Sequence, residues 1–228
     1  MKNIKTNLKL IKSYIECGDI KTFSFEPNNL SWQPGQYQAY RLIQAGMDEK
    51  DNLRYFTIAS APSEKRIDIS TRMTASAFKN TLDILETGDT IEASNLGGDF
   101  LWDKDVKEPI ILIAAGVGVT PYRSMLIERL KNNQKINAQL IYFNRNSEIA
   151  FLDTFTTISK LHPEFNFMPI VGEHVSSERI LELAPQAKEG TVYLSGPEAM
   201  VEKIGKEFKE MNINIKQDWF PGYTNDNF

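Results

Sequence analysis

The sequence contains one cysteine, Cys17, and two histidines, His162 and His174, among 228 residues. A single thiol excludes an intrachain disulfide, an iron–sulfur cluster held by four thiolates and a multi-cysteine zinc site within this chain. Neither histidine has a second histidine or a cysteine at ligand spacing, so we predict no metal site. Any redox chemistry of this chain therefore needs an organic cofactor.

Long apolar runs and charge of one sign are also lacking. The longest apolar run, residues 110–119, is about half of the roughly 20 residues that a membrane-spanning helix needs. The first residues have no continuous apolar segment typical of a secretory signal. The 26 Lys and Arg residues are scattered among 30 Asp and Glu residues, which disfavours a nucleic-acid partner. We therefore expect a cytoplasmic protein without a membrane span.

The first half of the chain alternates in short segments bounded by Gly, Pro, Asn and Asp, a pattern typical of a small antiparallel barrel. One amphipathic segment, residues 76–85, predicts a helix that caps the barrel. The six predicted strands are residues 7–15, 19–26, 36–43, 54–60, 66–72 and 90–94.

The second half alternates buried strands with amphipathic helices, which indicates a five-stranded parallel sheet with crossover helices. The predicted strands are residues 110–115, 138–143, 165–171, 191–195 and 213–218. The predicted helices are residues 121–131, 151–161, 177–183 and 197–211. A charged segment before Pro109 separates the two patterns, so we expect domains at residues 1–104 and 105–228.

A glycine pair follows the first strand of the predicted parallel sheet. Gly116 and Gly118 allow a tight turn that brings backbone N–H groups and a helix N-terminus close to a pyrophosphate. Thr120 is expected to cap that helix and Pro121 to be its first residue. The sequence therefore predicts a dinucleotide-binding turn, although Pro121 stands where the usual fingerprint has glycine or alanine.

Two segments of the predicted barrel suit a phosphate-bearing ligand. The guanidinium of Arg54 can give paired, charge-assisted hydrogen bonds to a phosphate. Ser76 can cap the predicted helix or donate to a phosphate, and the N–H groups of Ala77 and Phe78 lie at the same helix start.

Five segments, in order along the chain, resemble the motifs of the ferredoxin–NADP reductase family. They are Arg54-Tyr55-Phe56-Thr57, the segment from Arg72 to Phe78, the turn from Gly116 to Pro121, Ser195-Gly196-Pro197 with Met200, and Asp218-Trp219-Phe220 with Gly222 and Tyr223. Phe56 replaces the family's usual tyrosine, and Ser195 stands where many members have cysteine. The resemblance covers residues 7–223 and implies an N-terminal flavin-binding barrel followed by a nucleotide-binding domain.

The resemblance also implies a role for each matched residue. Thr57 would lie near the reactive edge of the flavin, Ser195 would contact the nicotinamide and Asp218 would supply a proton. Phe56 would pack on the flavin ring, and an aromatic residue of the tail, Phe220, would cover it. The other residues expected to hold FAD, or FMN as the alternative, are Arg54, Tyr55, Arg72, Ser76, Ala77 and Phe78. Those expected to hold NADPH or NADH are Gly116, Gly118, Thr120, Pro121, Arg145, Gly196 and Pro197.

The implied function is hydride transfer from NADPH or NADH to a bound flavin, followed by electron transfer to ferredoxin, flavodoxin, another carrier or a small oxidant. Two alternatives stay open at this point. The chain would otherwise be a flavin-binding electron-transfer or regulatory subunit of a larger complex, or a reductase of free flavin. Arg145 and Ser147 could receive the 2′-phosphate of NADPH, but the sequence does not separate NADPH from NADH.

Overall fold

The computed structural model describes residues 5–42, 52–102 and 108–220, and these residues form two sheets and five α-helices. Every strand and helix predicted from the sequence is present, with ends that differ by at most three residues. The predicted boundary near residue 104 lies outside the described residues, so the division into domains stays a prediction.

The first half forms a six-stranded sheet in the order β4-β3-β6-β1-β2-β5, with antiparallel neighbours. Its strands are β1 (Thr6–Cys17), β2 (Ile20–Phe25), β3 (Tyr37–Arg41), β4 (Leu53–Thr57), β5 (Ile67–Arg72) and β6 (Thr90–Gly97). The sheet curls into a half-barrel, since the N–H of Ala59, just after β4, donates to the carbonyl of Asp68 on β5 (2.8 Å). This confirms the predicted antiparallel fold of the first half.

Alternation along the strands explains the core of this half-barrel. On β2 and β5, Phe23, Phe25, Ile67 and Ile69 belong to one buried cluster that also includes Phe78. Phe78 lies on helix α1 (Ala77–Asp83), which follows β5. The apolar face of α1 thus covers the half-barrel core, as the sequence predicts.

The second half forms a parallel five-stranded sheet in the order β11-β10-β7-β8-β9. Its strands are β7 (Ile110–Ala115), β8 (Ala138–Asn144), β9 (Phe165–Val171), β10 (Thr191–Pro197) and β11 (Asn214–Phe220). Its helices are α2 (Thr120–Lys131), α3 (Leu152–Leu161), α4 (Ser177–Leu183) and α5 (Glu198–Glu210). The outer strand β9 contains Pro169.

Both faces of this sheet are buried, which explains the continuous apolar run of β7. Ile110 and Leu112 belong to a cluster with residues of α2 and α3, whereas Ile111 and Ile113 belong to a cluster with residues of α4 and α5. The chain runs from β7 to β8 and β9 on one side and places β10 on the other. Ligands of such sheets bind at the carboxyl ends of the strands where this order reverses.

None of the helices in the described ranges combines the length and the apolar character that crossing a bilayer requires.

Candidate active site

The turn between β7 and α2 uses its two glycines for different purposes. Gly116 has φ +52°, a left-handed conformation in which a side chain would be strained. A Cβ atom on Gly118 would lie 2.5 Å from the carbonyl oxygen of Ser195 and 2.7 Å from the Cα of Gly196. Gly116 therefore shapes the turn, and Gly118 lets the turn pack directly against β10.

The start of α2 differs from the prediction. The helix begins at Thr120 with Val119 as its N-cap, because residues 116–119 already form a 3-10 turn that continues into the helix. The Thr120 hydroxyl donates to the carbonyl of Val117 (3.0 Å) instead of capping N–H groups. The prediction of Thr120 as N-cap and Pro121 as first helical residue was therefore wrong by one position. Both side chains are buried and support the shape of the turn.

A cavity of about 570 Å³ lies at the carboxyl edge of the parallel sheet. Gly116, Arg145 and Pro197, at the ends of three neighbouring strands, line it. Its cationic lining residues are Arg72, Arg145 and Lys203, and its acidic ones are Glu148 and Glu173. Arg179 already pairs with Glu173 (2.7 Å), which leaves the cavity suited to an anionic ligand.

Arg72 reaches this cavity from the other half of the molecule. It ends β5 and forms an ion pair with Asp19, yet it lines the same cavity as Gly116. The sequence groups Arg72 with the flavin-phosphate residues around α1. The structure instead places it where a dinucleotide bound at Gly116 would be within its reach.

Helix α1 begins as predicted. Ser76 is the N-cap, and its side chain accepts a hydrogen bond from the N–H of Lys79 (3.3 Å), so Ala77 and Phe78 are the first helical residues. The Lys79 ammonium is buried and donates to the carbonyl of Arg72 (2.7 Å) and to Thr74 Oγ1 (3.2 Å). Lys79 adds positive charge at this helix start, and no sequence motif indicated it.

Strand β4 and helix α1 bring two predicted motifs together. The guanidinium carbon of Arg54 lies 6.0 Å from the ring centre of Phe78, and the Phe56 ring lies 5.8 Å from the same ring. Phe56 also packs on Tyr40 in the half-barrel core and is 8% exposed. The ring that the sequence assigns to the flavin thus has protein neighbours on the barrel side.

The other residues of β4 alternate in the expected way. Tyr55 points to the opposite face, is 48% exposed and makes an edge contact with Tyr37 at 5.7 Å. Thr57, at the end of the strand, is buried. Arg54 also donates to the carbonyl of Leu53 (2.7 Å), and it does not line the cavity of Gly116.

Strands β10 and β11 contribute two polar side chains that each have a buried oxygen. Ser195 and Asp218 are in register on the two strands, and within the described ranges Ser195 Oγ and Asp218 Oδ2 have no hydrogen-bond partner. Burial, and next the charge of Asp99, raises the pKa of the Asp218 carboxyl to about 7. Asp218 also helps to raise the pKa of Tyr122 on α2, after the larger effect of burial.

The remaining predicted site residues, Gly196, Pro197 and Phe220, lie at the ends of these two strands. A Cβ on Gly196 would lie 2.7 Å from Met200 Cε, and Pro197 leads into α5 as its N-cap. Phe220 is the last residue of β11. Its side chain and residues 221–228 lie outside what the structure describes, so flavin coverage by the tail stays a prediction.

The sequence gives no indication of one buried contact between the halves. Arg123 of α2 and Glu64, which follows β4, form an ion pair with an N–O distance of 2.7 Å. The signal available was a charged residue within the otherwise uncharged first turns of α2. Groups of three or more potential metal ligands are absent from the residues that the structure describes.

Comparison with known proteins identifies the second half directly. Residues 112–206 match the family described as "Oxidoreductase NAD-binding domain". A flavohemoprotein from Candida albicans is 25% identical over an alignment of 240 residues that covers 95% of this chain and 60% of that protein. The chain therefore spans about 60% of the length of this relative.

Solved structures extend the similarity over both halves. Amycolatopsis cytochrome P450 reductase GcoB has a TM-score of 0.81 at 22% identity, over 96% of this chain and 71% of that one. A ferredoxin NADP+ reductase from Neisseria gonorrhoeae with bound FAD and NADP has a TM-score of 0.79 at 16% identity, over 94% and 98%. The chain thus shares its overall fold with these two reductases. The comparisons confirm the resemblance to the ferredoxin–NADP reductase family, and residues 112–206 match the model of an oxidoreductase NAD-binding domain.

Proposed function

We propose that the protein is an NAD(P)H-dependent flavoprotein reductase whose two halves, residues 1–104 and 105–228, are a flavin-binding and a nucleotide-binding domain. The cavity at the carboxyl edge of the parallel sheet carries this proposal. Gly116 lines it from one half and Arg72 from the other, so a dinucleotide bound there would lie against both. When bound, the flavin would supply a two-electron acceptor for the hydride of the nicotinamide.

The residues present fit a dinucleotide in this cavity. Its volume lies in the range of small-ligand sites, about 300–1,000 Å³. The left-handed Gly116 keeps the turn free of a side chain, and three cationic residues line the walls. We propose that Gly116, Pro197, Arg145 and Arg72 hold NADPH or NADH, with Gly118 and Gly196 keeping the strands close.

The residues around α1 fit a flavin. Arg54, Ser76 and Lys79 lie on elements that meet at Phe78 and could hold phosphate. Thr57 ends β4, the strand that carries Arg54. We propose FAD as the flavin, with FMN as the alternative. We propose that Phe56, on the same face of β4 as Arg54, packs on the flavin ring, whereas Tyr55 lies on the opposite face.

Ser195 and Asp218 are suited to orienting groups and handling protons near the nicotinamide. Each has a buried oxygen without a hydrogen-bond partner in the described part of the chain, which leaves it available to a ligand. With a pKa of about 7, the Asp218 carboxyl is partly protonated at neutral pH, so Oδ2 can hold or release a proton.

The electron acceptor is part of the proposal. The similar proteins described above are a flavohemoprotein, a cytochrome P450 reductase and a ferredoxin NADP+ reductase. We propose that the electrons pass to a carrier protein such as ferredoxin or flavodoxin. The cytoplasmic location also stays a prediction.

An anaerobic titration tests the function. Purified protein should show a flavin absorption band that bleaches when NADH or NADPH is added, and a carrier screen should then identify the acceptor. A colourless preparation that does not bind added FAD or FMN would contradict the proposal. Weak flavin affinity with rapid turnover of free flavin would indicate a free-flavin reductase. Poor turnover with artificial acceptors alone, together with a partner that co-purifies, would indicate a subunit of a larger complex.

A further inference from the structure

A charged contact joins the two halves of the molecule. Arg123 is on the first turn of α2, and Glu64 ends a 3-10 turn (Pro62–Glu64) that follows β4. Arg123 Nη1 donates to Glu64 Oε2 (2.7 Å) and Nη2 donates to Oε1 (3.1 Å), which is a bidentate contact. Both side chains are nearly buried, with 9% and 11% exposed.

The same first turn of α2 holds the chain that leaves β4. Arg123 Nη1 also donates to the carbonyl of Ala59 (2.9 Å), and Ser124 Oγ donates to the carbonyl of Ser60 (2.7 Å). Ala59 lies two residues after Thr57, and Arg123 lies five residues after Gly118. A short path of covalent and hydrogen bonds therefore joins the proposed flavin edge to the proposed nicotinamide turn.

Both members of the pair are held in place by other groups. Glu64 Oε2 accepts from the N–H of Ala61 (2.8 Å), and Oε1 accepts from Arg66 Nη2 (2.6 Å). The guanidinium of Arg123 lies 5.2 Å from the ring centre of Phe151, at the start of α3. Burial by itself would raise the pKa of Glu64, but the hydrogen bond and charge of Arg123 outweigh it and lower that pKa, so Glu64 is ionised at neutral pH.

An ion pair in this position contributes geometry more than stability. A buried pair adds little free energy of folding over apolar side chains of the same size, because both charges lose their hydration. A bidentate guanidinium–carboxylate contact, however, fixes both distance and angle. Errors of about 1 Å between reacting groups can reduce a rate by about 100-fold.

We propose that Arg123 is a positioning residue for hydride transfer: its bidentate contact with Glu64 fixes the glycine turn relative to the end of β4 and thereby aligns the nicotinamide with the flavin. This inference rests on the proposed function. Arg123 and Glu64 act through the backbone segments they join, without touching either cofactor.

The test compares Arg123→Lys, Glu64→Gln and the double variant in anaerobic stopped-flow reduction of the bound flavin. NADH and NADPH, each also deuterated at the transferred position, are the reductants. We expect the limiting rate to fall about 10- to 100-fold and the isotope effect to rise, while the apparent dissociation constant of the dinucleotide changes by less than about threefold. Because the two residues act as a unit, the double variant should lose no more than the slower single variant.

Arg129→Lys is the matched control. Arg129 is on the same helix, donates to the carbonyl of Lys135 (2.9 Å) and lies 4.4 Å from the Trp102 ring, away from the Pro62–Glu64 turn. Its limiting rate should stay at the wild-type value. Thermal melting and bound flavin are measured for every variant, so that misfolding or flavin loss is recognised. Glu64→Gln, which keeps the shape of the side chain, carries the test if Arg123→Lys does not fold.

The two levels of the proposal fail differently. A wild-type protein that NADH and NADPH do not bleach would overturn both the function and this inference. A wild type that bleaches, with folded Arg123→Lys and Glu64→Gln equally fast, would overturn the positioning role alone. A rate loss that excess flavin restores would also overturn it, because the pair would then serve flavin binding.

Discussion

Ser195 and Asp218 lie side by side in register on β10 and β11, and each has a buried oxygen without a hydrogen-bond partner in the described ranges. Two such atoms next to each other cost free energy in the protein without ligand. Both are at the carboxyl end of the sheet, beside the turn of Gly118. The pair is therefore the part of the proposed site that gains most from a polar ligand.

Asp218→Asn should change how stability depends on pH. Burial, followed by Asp99, raises the pKa of this carboxyl from 3.8 to about 7, so the folded protein keeps a proton that the unfolded chain releases. The wild type therefore loses stability as pH rises from about 4 to about 7, by at most about 4 kcal/mol. In urea unfolding without flavin, Asp218→Asn should lose less free energy of unfolding than the wild type between about pH 4 and pH 7. Parallel pH profiles of the two proteins would contradict the raised pKa.

Gly118→Ala should separate the glycine turn from β10. The added Cβ would lie within 2.5 Å of the Ser195 carbonyl oxygen, so backbone must move, at a cost of about 1–3 kcal/mol. We expect a lower melting temperature and at least about tenfold weaker NAD(P)H binding in equilibrium titrations. Gly97→Ala is the control, because the nearest atom to its Cβ would be 3.8 Å away. Unchanged affinity in Gly118→Ala would mean that the turn does not bind the dinucleotide.

Arg72→Leu distinguishes two assignments of Arg72. Its place in the cavity of Gly116 predicts a dinucleotide dissociation constant about tenfold higher, since a charged hydrogen bond contributes about 1.5–3 kcal/mol. Flavin affinity should stay near the wild-type value. Lys21→Met is the control. Lys21 is on the neighbouring strand β2, and the change removes its ion pair with Asp83 of α1 (2.7 Å). The opposite result, flavin loss with normal dinucleotide binding, would favour the assignment made from sequence.

Arg145→Ala tests the ribose subsite. Arg145 follows β8 and lines the cavity, where a 2′-phosphate would meet its guanidinium. We expect kcat/KM with NADPH to fall about tenfold or more, while kcat/KM with NADH changes little and serves as the internal reference. An equal fall with both nucleotides would place Arg145 at the pyrophosphate instead.

The order of strands and helices could be predicted because each element depends on a pattern of residues that are close together in the sequence. The alternation around Phe23 and Phe25 and the apolar run of β7 each depend on neighbouring residues alone. The cap at Ser76 could also be predicted, since the serine, the helix and the preceding strand are contiguous. The predicted start of α2 was wrong by one position because a 3-10 turn precedes the helix. The Thr120 hydroxyl donates to the carbonyl of Val117 in that turn and therefore does not cap the helix.

Contacts between segments that are far apart in the sequence could not be predicted. The Arg123–Glu64 pair joins residues 59 positions apart, and neither residue belongs to a motif. Only the fold shows that Tyr55 is exposed and that Phe56 packs on Tyr40 and Phe78. Arg72 lies next to the flavin motif in sequence, yet the curl of the half-barrel brings it to the other half.

Pro169 limits how far the parallel sheet can grow. On an outer strand such as β9, exposed amide donors can recruit a strand from another molecule, which is a common origin of aggregation. Proline has no N–H, and in sheets it is tolerated where that group would face solvent. The outer edge of β9 consequently lacks one N–H donor at Pro169. A sixth strand paired with this edge would have one backbone hydrogen bond fewer, near the middle of β9.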